Sequence, residues 1–256
     1  MKLSIIVPVF NEEPYLRRCL DSIKRSCSSE VEAIIVDDCS TDGSGAICDE
    51  YDFKVIHSDE NHGVSVSRNI GMKEAQGEFI TFLDSDDYIA AGGLETILRA
   101  MRIFGDEFDL IQFNHFRSRN GEITPRTTNP NGRFTAAHPP KLFCYVWNKV
   151  YRREFIEQND IRFIPDMSYG EDEIFNLECL YHAGHLMSYA ERAVVHCYEN
   201  DGSLSRTVKP DGLIRMSEEI HQIIKLKDKP FGMESYLRQL ISDIWNSGTY
   251  KRILNG

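Results

Sequence analysis

An α/β fold, built on a central and mostly parallel sheet flanked by helices, is what the first 114 residues predict. Two patterns carry that expectation. Short β-branched runs alternate with amphipathic helical windows, as successive β-α-β units do. Acid-bearing turns follow three of the apolar runs, and open α/β sheets collect their ligands at the carboxyl ends of strands. With 41% apolar and 27% charged residues, the 256-residue chain is close to the soluble globular average and has the side chains for a sizeable core.

The expected strands are 4–9, 33–37, 54–58, 79–83 and 108–113. After the first of them Leu16, Cys19, Leu20 and Ile23 fall at i, i+3, i+4 and i+7, a helix with one buried face. Asn11 is its expected N-cap and Pro14 lies in its first turn. Leu94, Ile97, Leu98 and Met101 repeat the spacing in a later helix. Across 117–140 periodicity disappears, and Arg117, Arg119, Arg126 and Arg133 are interspersed with Asn, Gly, Thr and Pro, so a loop or hairpin is expected. Ile174, Leu177, Leu180 and Tyr181 describe a helix that begins near Glu171, and further helical patterns occupy 213–224 and 236–245.

With 29 basic and 40 acidic residues the net charge is −11, so the chain repels phosphate polymers and anionic headgroups, and nucleic acid is not an expected partner. No apolar stretch approaches the roughly 18 residues of a membrane helix. The longest candidate, 3–10, contains Pro8, and it is too short and lacks a small-residue cleavage site for a signal peptide, so no transmembrane segment is expected. Seven cysteines, an odd number with no Cys-x-x-Cys pair, favour reduced thiols and a cytoplasmic location.

The strongest local signal is Phe82-Leu83-Asp84-Ser85-Asp86-Asp87, which clusters carboxylates directly after an apolar strand. Carboxylates at i and i+2 of such a turn make a hard oxygen site suited to Mg2+ or Mn2+, and the same letters also describe a solvated turn that caps the next helix. Val36-Asp37-Asp38-Cys39-Ser40-Thr41-Asp42-Gly43-Ser44 is a second acidic turn. Asp38 there has the chemistry to accept the imide N–H of a uracil, and the segment also reads as a capped helix start. Val7-Pro8-Val9-Phe10-Asn11-Glu12 adds an aromatic that suits a base or a core.

These segments, with Asn61-His62-Gly63-Val64-Ser65 and Ser67-Arg68-Asn69-Ile70-Gly71 between them, occur in an order and spacing that resembles the family 2 glycosyltransferases of the GT-A fold. The resemblance covers residues 3–90, continues in Val146-Trp147-Asn148-Lys149-Val150-Tyr151-Arg152 and in Gly170-Glu171-Asp172, and fades after 206. It implies a GT-A domain over 1–206, with 1–114 as the nucleotide-sugar half and 115–206 as the acceptor half, and a helical extension over 207–256. It further implies that Val9, Phe10 and Asp38 hold the base of a nucleotide-sugar, commonly a UDP-sugar. Glu12, Arg68, Asp84 and Ser85 belong to the same donor site, Asp86 meets the metal, and Asp172, with Glu171 beside it, is the general base of an inverting transfer. A saccharide or lipid-linked saccharide is the implied acceptor, and a lipid-linked one would bring the protein to the inner face of the membrane.

Elementary chemistry agrees with those roles. A sugar hydroxyl is barely acidic, so a carboxylate in reach assists its attack by about 10²- to 10⁴-fold. A divalent ion on the departing diphosphate stabilises charge that grows in the transition state. Asp172 equally suits a plain helix start. His196 reads as a metal ligand or as a satisfied core histidine, and Trp147 as a sugar platform or as core. A nucleotidyltransferase acting on sugar phosphates is the first alternative, but it calls for a Gly-rich basic loop where this chain has Asn11-Glu12-Glu13. A catalytically silent nucleotide- or glycan-binding module is the second, and it would not be expected to keep Asp86, Glu171 and Asp172. The sugar, the linkage and the acceptor depend on 117–140 and on pocket shape, which no spacing encodes.

Overall fold

All seven residues of strand β1 (Leu3–Val9) are buried, the mark of a strand covered on both faces. In the computed structural model, which describes residues 2–26, 28–104, 107–119, 122–126, 132–134, 145–167, 169–198, 210–225, 238 and 242, β1 is the hub of the first half. It pairs in parallel with β2 (Val31–Asp37) on one side and β4 (Phe79–Phe82) on the other, and β3 (Lys54–His57) extends the sheet beyond β2. Helices α1 (Glu13–Ser26), α2 (Ser44–Cys48) and α3 (Val64–Glu74) fall between successive strands.

The second half closes on β4 with the opposite sense. β9 (Lys149–Arg152) runs antiparallel to β4 and to β6 (Leu110–Arg119), and β10 (Leu186–Tyr198) runs parallel to β6 and carries β5 (Tyr88–Ile89) on its far side. The order is β3-β2-β1-β4-β9-β6-β10-β5, with β7 (Glu122–Arg126) on β6 and β8 (Gly132–Phe134) on β10. One face of the sheet is covered by α1 and by α4 (Gly93–Phe104), through Leu16, Cys19, Leu20, Ile23, Leu94 and Ile97. The other face packs on α5 (Arg153–Gln158), α6 (Glu171–His182) and α7 (Pro210–Lys225). Among the described residues no helix is long and apolar enough to cross a membrane.

Four of the five expected strands of the first half and both of its expected helices occur where the sequence put them. The fifth strand and the helix cap differ. The strand expected at 108–113 starts at Leu110 and continues to Arg119, because β10 pairs with it as far as Ser118 across a bulged register. The region expected as loop or hairpin is a hairpin where it is described, with His115 opposite Arg126. Asn11 does not cap α1, since the carbonyl of Glu12 accepts the N–H of Tyr15 and Leu16. Asn11 adopts a left-handed φ of 55°, and its Oδ1 accepts the N–H of Thr41 at 2.7 Å, tying the β1 turn to the β2 turn. Asn tolerates that conformation better than most residues. The helical pattern at 213–224 falls within α7. The pattern at 236–245 lies outside the described residues, Arg238 and Ser242 apart.

Helix α3 lies close on β1 because position 71 carries no side chain: a Cβ there would sit 2.3 Å from Cγ2 of the buried Ile6. Ile6 is β-branched and walled in, so the helix rather than the side chain has to move. Gly71→Ala is expected to lower stability by about 1–3 kcal/mol, read as a shifted urea midpoint at unchanged slope. An unshifted midpoint would mean that α3 slides without cost.

Candidate active site

At the carboxyl ends of β1 and β2 the two turns are laced together. The N–H of Asp38 donates to the carbonyl of Val9 at 2.8 Å, that of Glu12 to Ser44 Oγ at 2.8 Å, and that of Glu13 to Asp42 Oδ2 at 3.2 Å. Val9 is core and takes part through its backbone, whereas Phe10 is 44% exposed at the mouth of the turn. Asp38 is buried, and its two oxygens accept the N–H groups of His62 at 2.9 Å and Gly63 at 2.7 Å. It therefore anchors the turn that leads into α3, and the lone pairs left over are what a base would meet. Its neighbour Asp37 bonds His57 Nδ1 at 2.9 Å and accepts the N–H of Ser40 at 3.2 Å.

Arg68 is the centre of the site. It projects from α3, is 3% exposed, and lies 5.1 Å from the Phe163 ring. Nη2 donates to Asp84 Oδ1 at 2.9 Å and Nη1 to Asp172 Oδ1 at 2.6 Å, with Glu171 Oε1 at 3.5 Å. The turn after β4 and the start of α6, 88 residues apart in sequence by the difference of 172 and 84, thus meet on one guanidinium. Burial disfavours its charge, but Asp172, Asp84 and Glu171 outweigh burial and hold its pKa above the ordinary value.

One cation divided among three carboxylates leaves an excess of negative charge. The Asp172 carboxyl is pushed up to about 7, chiefly by burial, with Glu171 and Asp84 adding repulsion against the pull of Arg68 and the Val146 N–H. That N–H donates to Asp172 Oδ2 at 3.1 Å, so both oxygens have fixed directions. Glu173, in the same first turn, is also pushed up to about 7 by burial, opposed by Lys149. Below the cluster Phe163 stacks on Phe175 at 4.1 Å and Phe82 meets both edge-on, an apolar floor that keeps the carboxylates poorly solvated.

Ser85 is buried, and Asp86 is pushed up to about 7 by burial and by Asp84 and Glu12, with Arg18 opposing. Burial, Asp42 and Asp84 likewise raise Glu12. Mutual repulsion of this kind is what a divalent cation relieves, and hard carboxylate oxygens suit Mg2+ or Mn2+. Among the described residues no group of three or more His, Cys, Asp and Glu side chains converges to hold a metal unaided. Asp86 would hold such an ion only with ligand oxygens and water completing its shell.

His196 lies between the rings of Tyr88 and Phe116, 4.5 Å from each, and burial and Arg18 lower its pKa. It is a rung of an aromatic stack. Trp147 is core at 3% exposure, which leaves Tyr145, stacked on it, as the solvent-facing ring. In the family that the sequence resembles, the segment matching residues 195–206 often closes over the diphosphate, and 199–206 lie outside the described residues. The sequence gives no signal for Glu173 or for the Val146 N–H, since both arise from how β9 meets α6.

The family model for glycosyl transferase family 2 matches residues 4–159, and the chain belongs to that family. It is 36% identical over 212 residues to the putative glycosyltransferase EpsH of Bacillus subtilis, covering 76% of this chain and 60% of that one. It is 29% identical over 213 residues to the poly(ribitol-phosphate) β-N-acetylglucosaminyltransferase TarS of Staphylococcus aureus, covering 79% of this chain and 36% of that one. The chain thus spans less than two thirds of these relatives' lengths. A crystal structure of residues 1–349 of S. aureus TarS with UDP-GlcNAc superposes with a TM-score of 0.80 at 26% identity, covering 96% of this chain and 72% of the other. The fold is accordingly that of the GT-A glycosyltransferases.

Removing the shared cation tests its role. Arg68→Gln leaves buried carboxylates unpaired and is expected to cost about 3–5 kcal/mol at pH 8. Without Arg68 the Asp172 carboxyl, already raised by burial, rises further above its unfolded value, so the folded state is favoured at low pH and loses stability as pH rises. The deficit should therefore shrink at pH 5, and an equal deficit at both pH values would assign the loss to packing.

Proposed function

We propose that this chain is a metal-dependent, inverting glycosyltransferase that moves a sugar from a nucleotide-sugar, in the first instance a UDP-sugar, to a saccharide or lipid-linked saccharide acceptor of a cell-surface polymer. The observation that carries this reading is the convergence of Asp84, Glu171 and Asp172 on Arg68, because it sets a candidate base beside the donor-side acids at the strand ends. TarS, solved with UDP-GlcNAc and named for transfer to poly(ribitol phosphate), supports the donor and polymer classes.

In this reading Phe10 covers one face of the base, Asp38 accepts its imide N–H, and the Val9 backbone fixes the floor. Asp84 and Ser85 take the ribose and phosphate region with Glu12 beside them. Arg68 acts through Asp84 and Asp172 by holding both in register. Asp86 would hold the divalent ion, which when bound supplies positive charge to the departing diphosphate. Asp172, with its oxygens directed by Arg68 and Val146, takes the acceptor's hydroxyl proton as that oxygen forms the bond to the anomeric carbon. A carboxyl near 7 is better matched to that task at neutral pH than an ordinary aspartate. Attack from the side opposite the leaving group inverts the anomeric centre.

Asp172→Asn keeps size and removes basicity, so UDP affinity should persist while transfer falls by roughly 10²-fold or more. Wild-type transfer in that variant would remove Asp172 from the mechanism and make Glu171 the next residue to test.

Proton and metal compete for Asp86. UDP binding with Mn2+ or Mg2+ should weaken as pH falls from about 8 to 6, through the range in which the Asp86 carboxyl takes up its proton. It should be lost in Asp86→Ala and in excess chelator. Calorimetry that finds undiminished UDP affinity in chelator would overturn the metal assignment.

A further inference from the structure

Residues 145–148 lead into β9 and are pinned at several points. The buried Lys149 ammonium donates to the carbonyl of Tyr145 and, at 2.9 Å, to Asn148 Oδ1. Asn148 is itself buried, its Nδ2 donating to the carbonyl of Phe113 at 3.2 Å while its own carbonyl accepts the Phe113 N–H at 2.8 Å. Val146 is buried and gives its N–H to Asp172. In this rigid segment one large side chain stays in solvent: Tyr145 is 36% exposed. Its ring stacks on Trp147 at 4.9 Å and 15°, and His115 meets both rings edge-on.

An aromatic side chain exposed in this way loses apolar contact area, yet it stacks on the buried Trp147, so the ring is oriented before any ligand arrives. The apolar C–H face of a pyranose is the surface that a flat, half-open ring complements. Tyr145 is one residue from Val146, whose N–H directs the proposed base. We infer that the Tyr145 ring, backed by Trp147, is a stacking shelf for a pyranose unit of the acceptor and is a specificity-determining residue of the transfer. The inference rests on the transferase reading for the word acceptor, but binding of a sugar to the shelf is measurable without turnover.

The chain holds two tryptophans, so Trp245→Phe leaves Trp147 as the single indole reporter beneath the shelf. Its fluorescence is followed during titration with chitotetraose, cellotetraose and maltotetraose, with UDP and Mn2+ present. At least one tetrasaccharide should give a saturable change. Tyr145→Phe should keep that affinity, while Tyr145→Ala and Tyr145→Leu weaken it by roughly 3- to 10-fold and leave UDP affinity unchanged. Tyr145→Leu keeps an apolar cover over Trp147 and so answers the question even if the alanine variant unfolds. No saturable change with any of the three sugars in the wild type overturns the shelf, as does equal affinity in Tyr145→Leu or parallel loss of UDP binding. Sugar binding through Tyr145 in a protein that never releases UDP from any UDP-sugar would instead sink the transferase reading and leave the shelf standing.

Discussion

The site depends on one charge in the wrong solvent. Arg68 is buried on an apolar floor, and a lone guanidinium there would be costly, so it has to be met by carboxylates. Those carboxylates come from the turn after β4 and from the first turn of α6, and Asp172, the least exposed of them, would be costly to bury without the arginine. The acids of α6 therefore depend on a cation from the first half. Burial chiefly, with repulsion from Glu171 and Asp84, lifts Asp172 toward neutrality against the pull of Arg68, so the contact that joins the halves moderates the pKa of the candidate base.

Around that pair, geometry is delegated to backbone. The N–H groups of His62 and Gly63 fix Asp38, the N–H of Val146 fixes Asp172, and the carbonyl of Asp86 receives Arg18 at 2.7 Å. A carboxylate oriented by main-chain donors keeps its direction at little side-chain entropy cost. This is why short turns at strand ends, which look like surface loops in sequence, hold their side chains as firmly as core elements do.

Much of this was legible before the fold was known. β1, β2 and β4 announce themselves as β-branched runs, and α1 and α4 through a periodic apolar face. Helix α3 does not. Its buried face consists of Ser65, Ser67, Arg68, Gly71 and Met72, residues that pack by being small or by being paired, so hydrophobic periodicity misses it. The candidate acids were visible as motifs, but their mutual arrangement was not, because the contact of Arg68 with Asp172 spans 104 residues and depends on β9 entering the sheet antiparallel. Trp147 and Tyr145 are two residues apart and stack, Trp147 buried and Tyr145 exposed, and sequence alone does not tell which of two neighbouring aromatics faces water.

The division of labour also follows the chain. The family model matches 4–159, and Asp172 lies past that span, where it meets Arg68 from the first half. The turn that leads into α6 is braced within the second half. Gly170 adopts a left-handed φ of 79° just before α6, and a Cβ there would lie 2.3 Å from Sδ of Met216 on α7. Arg215 of the same helix holds the carbonyls of Pro165 and Asp166 at 3.1 and 2.9 Å. A helix that the sequence resemblance leaves unexplained thus braces the loop that leads to the candidate base. The acidic strand ends are fixed by strands that pair directly with β1, whereas Asp172 is held by Arg68, by the Val146 N–H and by a lead-in braced by α7. Loops of that kind are where substrate preference changes without loss of the fold, because the core of the sheet does not depend on them.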